Sequence, residues 1–579
     1  MKSLLKYLRN YRKESILAPL FKLLEASFEL FVPIVISKII DVAIPSGNNS
    51  MIIKMGLVLG LLALVGMVAA ITAQFFAAKA AVGFSAELRS AVFAHIQTFD
   101  FTSIDKVGIS TLITRMTSDI NQLQNGVNMV LRLFLRSPIV VFGAMIMAFT
   151  IDVKSALIFA VAIPLLAVIV YGIMLITMPL FKKVQGSLDK VLSHTRENLT
   201  GVRVIRAFGL EEKELGDFEA DNRILAKSQT RVGRFSALTN PLTYIIVNGA
   251  IIALIYVGGV QVNIGSLTQG QVVAIINYMS QILVELIKLA NLIVLMTKAA
   301  ACGDRVADVL KMENAPAVKE TGEKTVTGES LKANSLEDYI VFDHASLNYE
   351  GAGAETLTDI DFSVKKGQTI GIIGGTGSGK SSLVNMIPAL YYATKGSVQF
   401  CGRDVKDIDA GELRKKIGIV PQKAVLFKGT IRSNLLWGNP DATDEDLWKA
   451  LDIAQATEVV KGKEGGLDAP VEQNGRNFSG GQRQRLTIAR ALVGHPEILI
   501  LDDSASALDY ATDANLRKAI SEINDTTVFI VSQRASSIRN ADKIIVLDDG
   551  EIAGIGTNDE LLESCEVYNE IYYSQYERA

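Results

Sequence analysis

Apolar residues are concentrated in the first half of the chain, in runs long enough to cross a bilayer. No Asp, Glu, Lys or Arg occurs from Met55 to Ala78, from Ser155 to Phe181, or from Phe235 to Val284. Because a transmembrane helix needs about 20 mainly apolar residues, the last run is long enough for two spans, with the glycine-rich segment 263–270 as the turn between them. The pattern predicts six spans, at about 17–40, 55–78, 130–151, 155–180, 240–262 and 271–297.

The distribution of basic residues predicts the orientation of these spans. Segment 182–234 holds eleven Lys or Arg, and segment 2–13 holds five, whereas the turns at 45–50 and 263–270 hold none. Positive charge is enriched in the cytoplasmic segments of membrane proteins. We therefore expect an integral multi-pass protein of a bacterial cell membrane, with both termini in the cytoplasm and with two long cytoplasmic loops that extend the membrane helices.

The second half changes to short β-branched strands that alternate with helical stretches, a pattern typical of an α/β domain. Between Met312 and Glu337, charged and small polar residues replace the apolar runs. This change of composition predicts a membrane domain at 1–312, a linker at 313–337 and a second domain at 338–579.

A phosphate-binding loop lies early in this second domain. Strand-like 368–373 leads into a match to G-x-x-x-x-G-K-[ST] and then into a helical stretch, which is the context that the motif requires. Glycines let backbone N–H groups wrap phosphates; the lysine would reach the β- and γ-phosphates of ATP, and the serine hydroxyl would bind Mg²⁺. The predicted ATP-binding residues here are Gly374, Gly375, Thr376, Gly377, Ser378, Gly379, Lys380, Ser381 and Ser382.

A second element of the site is the apolar run 498–501, which ends at Asp502. Open α/β sheets bind ligands at the carboxyl edge of their strands, so Asp502 is expected to hold Mg²⁺ through a water. The predicted fold class is multidomain: an all-α polytopic membrane domain with six transmembrane helices and long cytoplasmic extensions, followed by an α/β P-loop ATPase domain. The predicted cofactors are ATP and Mg²⁺.

The segment Phe478-Ser479-Gly480-Gly481-Gln482-Arg483-Gln484-Arg485 resembles the signature of the ABC transporter family, and specifically of its exporters with six membrane helices fused to one ATPase domain. The resemblance implies that Tyr349 stacks on adenine, that Gln422 senses Mg²⁺ and that Asp509 belongs to the D-loop. It also implies that Ser479, Gly480, Gly481 and Gln482 face the P-loop of a second ATPase domain in a head-to-tail dimer. One chain is then half a transporter, and its partner is a second half-transporter.

The same resemblance implies how the two domains communicate. Cytoplasmic loop tips near 99–106 and 209–215 would be short coupling helices that dock on ATPase domains. ATP binding would then drive the membrane helices between inward and outward opening.

The chain departs from its family at two catalytic positions. Asp503 stands where the family has a glutamate, and Gln533 stands where it has the switch histidine. The shorter aspartate withdraws its carboxylate by roughly 1.5 Å, and a general base must come within about 2.6–3.2 Å of the proton that it accepts. Glutamine carries no titratable proton. We therefore expect this chain's own site to bind ATP and to hydrolyse it slowly or not at all.

The signature is intact, which favours one of two assemblies. In a heterodimer it would complete a competent ATP site on a different chain with an intact catalytic glutamate, as in the degenerate half of heterodimeric multidrug exporters. In a homodimer, intact signatures would serve two weak sites. The heterodimer is the favoured interpretation, and a homodimeric lipid flippase or peptide exporter is the alternative. An ATP-gated channel or regulatory protein on the same scaffold is an alternative of another class.

Ionisable residues within the spans are the candidates for a substrate path. Glu25 and Glu29 lie four residues apart in the first span, and Glu285 lies in the sixth. Such groups usually face a cavity or a partner. They could attract a lipophilic cation, or they could pair with Lys or Arg on neighbouring helices. The expected partners outside the complex are membrane lipid and a small lipophilic or drug-like substrate.

Net charge and cysteine content exclude other classes. A formal charge of −3, from 58 basic and 61 acidic residues, gives no indication of a nucleic-acid partner. Cys302, Cys401 and Cys565 lie far apart, so neither a disulfide framework nor a structural zinc is expected.

Overall fold

The computed structural model describes residues 2–312, 339–349, 352–523 and 525–576. These residues form two compact units, one of Met1–Gln97 with Ser110–Met312 and the other of Thr98–Ile109 with Glu313–Ala579. The predicted linker at 313–337 lies outside the described residues. The short segment Thr98–Ile109, between two membrane helices in the sequence, therefore packs with the second unit.

Long helices build the first unit. A 3₁₀ helix at Lys2–Tyr11 precedes them, and π-helical turns at Ile39–Ala43 and Arg115–Asp119 interrupt them. In chain order, with α3 belonging to the second unit, the helices are α1 (Arg12–Lys38), α2 (Asn49–Ile96), α3 (Phe101–Val107), α4 (Ile109–Thr114), α5 (Ile120–Leu133), α6 (Arg136–Ile151), α7 (Val153–Ala207), α8 (Glu211–Ala237), α9 (Thr239–Asn263) and α10 (Gln269–Lys311).

Five helical segments among the described residues are long and apolar enough to cross a membrane. They are Asn49–Ile96, Ile109–Ile151, Val153–Ala207, Glu211–Asn263 and Gln269–Lys311. They contain five of the six predicted spans. The first predicted span lies in α1, whose Lys22, Glu25 and Glu29 set it apart from these apolar segments, so that span stays a prediction.

The two predicted loop tips differ in structure. The first forms the separate helix α3, whose N-terminus is capped by Asp100, because its carboxylate accepts a hydrogen bond of 2.8 Å from the backbone N–H of Ser103. The second prediction, a separate short helix near 209–215, is wrong. The chain turns at Gly209, which has a φ of +63°, and continues directly into the 27-residue α8. Acidic residues in the first turn of α8 favour a helix beginning there.

The second unit is built of strands and helices. Its strands are β1 (Ile340–Leu347), β2 (Leu357–Val364), β3 (Thr369–Gly374), β4 (Lys395–Phe400), β5 (Arg403–Asp404), β6 (Ile417–Val420), β7 (Gly429–Thr430), β8 (Pro470–Val471), β9 (Ile498–Asp502), β10 (Thr527–Val531), β11 (Lys543–Asp548) and β12 (Glu551–Gly556). Its helices after α3 are α11 (Lys380–Met386), α12 (Ala410–Lys415), α13 (Ile431–Leu435), α14 (Asp444–Ile453), α15 (Thr457–Lys461), α16 (Gly480–Leu492), α17 (Tyr510–Ser521), α18 (Ala535–Ile538), α19 (Asn558–Ser564) and α20 (Glu566–Tyr573).

The strand order places three loops at one edge of the larger sheet. The central order is β12-β11-β3-β10-β9-β6, with β12 antiparallel and the other neighbours parallel. Val531 at the end of β10 pairs with Ile372 of β3 on one side and with Asp502 of β9 on the other. The segments that follow β3, β9 and β10 therefore meet at the carboxyl edge, where open α/β sheets bind ligands. A second sheet, in the order β2-β1-β4-β5, packs beside the first in a shared hydrophobic core.

Candidate functional site: a phosphate-binding cavity at the sheet edge

The loop between β3 and α11 is shaped by glycines. Gly377 and Gly379 have φ values of +89° and +92°, a conformation that residues with a Cβ rarely adopt. A Cβ added at Gly379 would also lie 2.6 Å from the side chain of Leu357. Gly379, which the sequence motif requires, and Gly377, at one of its variable positions, thus turn the backbone around the space in front of α11.

Lys380 lies at the centre of this loop and is almost fully buried. Its Nζ donates hydrogen bonds to the carbonyl oxygens of Gly374, at 2.9 Å, and Gly375, at 2.5 Å, and to the Ser378 hydroxyl at 3.3 Å. Burial lowers the pKa of Lys380, and the nearby Asp503 and Asp502 oppose that shift. The loop therefore holds an ammonium group on its inner side, where the phosphates of a nucleotide would bind.

Asp502 and Ser381 bring two oxygen ligands together. The Ser381 hydroxyl donates a 2.9 Å hydrogen bond to Asp502 Oδ1, and burial raises the pKa of Asp502. Gln422, just after β6, lines the same cavity of about 230 Å³. A hydroxyl, a carboxylate and an amide oxygen are ligands that suit Mg²⁺, so the residues present fit the predicted ion.

Asp503 and Gln533, the two residues that depart from the family pattern, line this same cavity. Burial raises the pKa of Asp503, and the nearby side chains of Gln422, Lys380 and Arg534 oppose that shift. Asp503 has a φ of +46°, and its backbone N–H donates to the Val531 carbonyl at 3.0 Å. Gln533 follows β10, and its carbonyl accepts a 2.7 Å hydrogen bond from Gln575. The predicted P-loop and its two unusual partners are therefore together in one site.

The signature residues lie at a different place on the second unit. Ser479 caps α16, and Ser479 and Gln482 exchange hydrogen bonds between side chain and backbone, at 3.0 and 3.3 Å. A Cβ on Gly481 would lie 2.9 Å from the Ala507 carbonyl. None of the described residues Ser479, Gly480, Gly481 and Gln482 lines the P-loop cavity. Asp509 caps α17 through the backbone N–H of Thr512 at 2.9 Å.

Tyr349 lies beside the P-loop helix rather than among the residues that line the cavity. Its hydroxyl donates a 2.9 Å hydrogen bond to Ser382, and its ring meets the ring of Tyr391 edge to face at 5.0 Å. The sequence analysis did not single out Tyr391. The sequence indicates a contact there only through the aromatic pair Tyr391-Tyr392 soon after the P-loop helix, and that pair does not indicate what either ring contacts.

The three membrane glutamates surround one basic residue at the start of α6. Arg136, at the start of α6, donates to Glu29 at 2.7 Å and also to Glu285, and its Nε lies 3.8 Å from Glu25. Lys22 pairs with Glu25, and Lys288 pairs with Glu285 at 2.7 Å. The cluster joins α1, α6 and α10 with three acidic and three basic side chains, so its formal charge is zero.

Comparisons with known proteins agree with this architecture. Residues 15–286 match the family model of the ABC transporter transmembrane region, and residues 357–506 match the ABC transporter model. The fold is similar to that of a bacterial Atm1-family ABC exporter solved with ATP bound, with a TM-score of 0.81 and 21% identity over 98% of this chain and 99% of that one.

Three curated relatives match over nearly their whole length. The ABC transporter ATP-binding protein YfiB of Bacillus subtilis is 36% identical over 100% of this chain and 99% of its own, and MT1311 of Mycobacterium tuberculosis is 34% identical over 98% and 97%. The putative multidrug export ATP-binding/permease protein YgaD of B. subtilis is 29% identical over 99% of both chains. The chain therefore belongs to the ABC transporter family, with a helical membrane domain and an ABC ATPase domain in a single polypeptide.

Proposed function

We propose that this chain is one half of an ATP-driven exporter and that it contributes the degenerate ATP site to a heterodimer. The observation that carries the proposal is the position of Asp503 and Gln533, which line the same cavity as Lys380 and Ser381. The cavity has the loop, the ammonium group and the oxygen ligands for MgATP. It lacks the longer glutamate carboxylate that positions the attacking water in the family. It also lacks the imidazole of the family's switch histidine.

ATP binding and hydrolysis would then be divided between two sites. Lys380 and the P-loop N–H groups bind the phosphates, while Ser381, Asp502 and Gln422 hold Mg²⁺ directly or through water. The ion would neutralise charge on the β- and γ-phosphates. The Ser479–Gln482 signature covers the ATP bound by the partner chain, where an intact glutamate supports hydrolysis. ATP at this chain's site stays bound and keeps the two ATPase domains associated.

The membrane cluster bears on the class of substrate. Three basic side chains offset Glu25, Glu29 and Glu285, so this part of the proposed path carries no net negative charge. This supports lipophilic, drug-like substrates without an obligatory positive charge. Transport by alternating access would move them outward when ATP closes the ATPase pair.

The experiment that tests the proposal is the intact mass of the complex, isolated from its native membrane through a tag on this chain. We expect one copy of this chain with one different polypeptide of similar size. Peptide sequencing of that polypeptide should find a glutamate at the position corresponding to Asp503. A complex of two copies of this chain would overturn the degenerate-site proposal, because Asp503 would then have to support all of the hydrolysis.

A further inference from the structure

Tyr391 of the ATPase domain contacts the helix α3 in two ways. The Tyr391 hydroxyl donates a 2.6 Å hydrogen bond to Asp105 Oδ2. The ring of Phe101 packs against the Tyr391 ring, with a centroid distance of 5.9 Å. Asp105 and Phe101 both belong to α3, which the sequence connects to α2 on one side and to α4 on the other.

The same side chain touches the residue assigned to the adenine base. The Tyr391 and Tyr349 rings meet edge to face, 5.0 Å apart and at 88°, a preferred arrangement of aromatic pairs. Tyr349 in turn donates to Ser382 in the first turn of α11. Contacts therefore run from α3 through Tyr391 and Tyr349 to the P-loop helix, although Tyr391 does not line the phosphate cavity.

We propose that Tyr391 is a positioning residue that couples base stacking on Tyr349 to the docking of α3. The inference rests on the proposed function, in which ATP binds at this P-loop with its base on Tyr349. The hydroxyl of Tyr391 is fixed by Asp105, and its ring edge limits the positions that the Tyr349 ring can take. A base stacked on Tyr349 fixes the same pair from the other side, so base binding and α3 docking stabilise each other.

Coupling of this kind is reciprocal: if ATP binding stabilises the docking of α3, then the docking of α3 raises the affinity for ATP by the same factor. Removing the Tyr391 hydroxyl breaks the tether but keeps both rings. Because only the part of this hydrogen bond's free energy that differs between the ATP-bound and ATP-free states reaches ATP affinity, we expect an affinity loss of about 3- to 10-fold for ATP. A ligand with phosphates and no base should bind the variant as tightly as the unaltered protein.

The experiment uses the assembled complex in lipid nanodiscs and labels this chain with radioactive 8-azido-ATP, which reports on the site of one chain at a time. MgATP and inorganic tripolyphosphate with Mg²⁺ serve as competitors. Tyr391→Phe and Asp105→Ala should each weaken competition by ATP 3- to 10-fold and leave tripolyphosphate unchanged, and the double variant should be no weaker than either single variant. Asp105→Asn, which keeps an oxygen acceptor, should restore ATP competition. Tyr576→Phe, at an exposed tyrosine of the same domain, is the control and should have no effect.

Hydrogen exchange gives the second readout. ATP should slow exchange of the α3 amides at 101–107 in the unaltered protein and less so in Tyr391→Phe, while tripolyphosphate should not slow it. Equal loss of ATP and tripolyphosphate competition would overturn the inference, because Tyr391 would then only support the fold. So would an unchanged ATP affinity in Tyr391→Phe. Labelling that survives Lys380→Ala would instead contradict the proposed function, since it would place ATP elsewhere.

Discussion

The carboxylates of the membrane cluster and those of the phosphate-binding cavity have opposite surroundings. In the membrane domain, Glu29 and Glu285 are hydrogen-bonded to the buried guanidinium of Arg136. In the ATPase domain, among the described residues, Asp502 and Asp503 form no ion pair, and Asp502 accepts a hydrogen bond from the neutral Ser381. The first arrangement satisfies its charges within the protein and ties helices together. The second leaves the buried Asp502 and the half-buried Asp503 with charge that a bound cation would complete.

Loss of Lys380 is the largest effect that we expect. Lys380→Ala would leave Asp502 and Asp503 facing a triphosphate without the ammonium group that lines the cavity. Lys380 is expected to reach both the β- and the γ-phosphate, and each charged hydrogen bond contributes about 1.5–3 kcal/mol. Since tenfold in affinity is about 1.4 kcal/mol, ATP binding at this chain should fall by about 10²–10⁴-fold. Chain-specific photolabelling measures it. Lys365→Ala, at an exposed lysine of the same domain, should bind normally, and an unchanged affinity in Lys380→Ala would refute the P-loop assignment.

Restoring both catalytic groups should have an effect of similar size. Asp503→Glu with Gln533→His should raise ATP hydrolysis at this site by about 10²–10⁴-fold, the range that a placed general base contributes. The measurement is steady-state hydrolysis in a complex whose partner carries glutamine in place of its catalytic glutamate. Each single variant should fall short of the pair, because the attacking water needs both groups. If the unaltered chain already hydrolyses as fast as the double variant, its site is not degenerate.

How far the sequence predicts these two regions follows from the kind of signal that each contains. The P-loop is one contiguous motif, and the apolar run 498–501 predicts a buried strand that ends at Asp502, at the same sheet edge. Parallel strand order then brings Asp503 and Gln533 to that edge without further information. Whether the site acts with a partner chain is not encoded in that local pattern.

The membrane cluster depends instead on packing between distant helices. The spacing of Glu25 and Glu29 tells that they share a face of α1, but it does not tell which neighbour that face meets. Arg136 reaches them only because α1, α6 and α10 pack together. The contact of Tyr391 with Asp105 is unpredictable for the same reason, because the two residues are 286 positions apart in the sequence.

Arg136 tests the membrane half of the comparison. Arg136→Leu should destabilise the membrane domain by about 3–5 kcal/mol, since removal of one partner leaves buried charge without compensation. Adding Glu29→Gln to it should recover most of this loss, because the remaining Lys22–Glu25 and Lys288–Glu285 pairs carry no net charge. Reversible unfolding by denaturant in mixed micelles measures the free energy of unfolding. Lys288→Leu, at a half-exposed end of the cluster, should cost much less than Arg136→Leu. A small loss in Arg136→Leu would mean that the ion pairs contribute little.

The smallest effect is a pH dependence whose sign differs between two carboxylates of the ATPase domain. Burial raises the pKa of Asp503 above its ordinary 3.8, so its charged form destabilises the fold at neutral pH, and this penalty fades as the pH falls through the raised pKa towards 3.8. Asp503→Asn should therefore unfold at a higher temperature than the unaltered chain at pH 7.5, with a difference that shrinks as the pH approaches 4.

Glu497 should behave in the opposite way. Burial alone would raise its pKa, but hydrogen bonds from Lys416 and Tyr339 outweigh burial and hold the pKa below the ordinary 4.5. Its charged form stabilises the fold above pH 4.5, and this stabilisation is lost only as the pH falls through the lowered pKa. Glu497→Gln should thus unfold at a lower temperature at pH 7.5 and keep most of that deficit down to pH 4.5. Thermal unfolding of both variants from pH 7.5 to pH 4 gives the comparison. Shifts of the same sign would mean that Asp503 is stabilised by a cation in the folded protein, and the distinction between paired and unpaired carboxylates would not extend to this site.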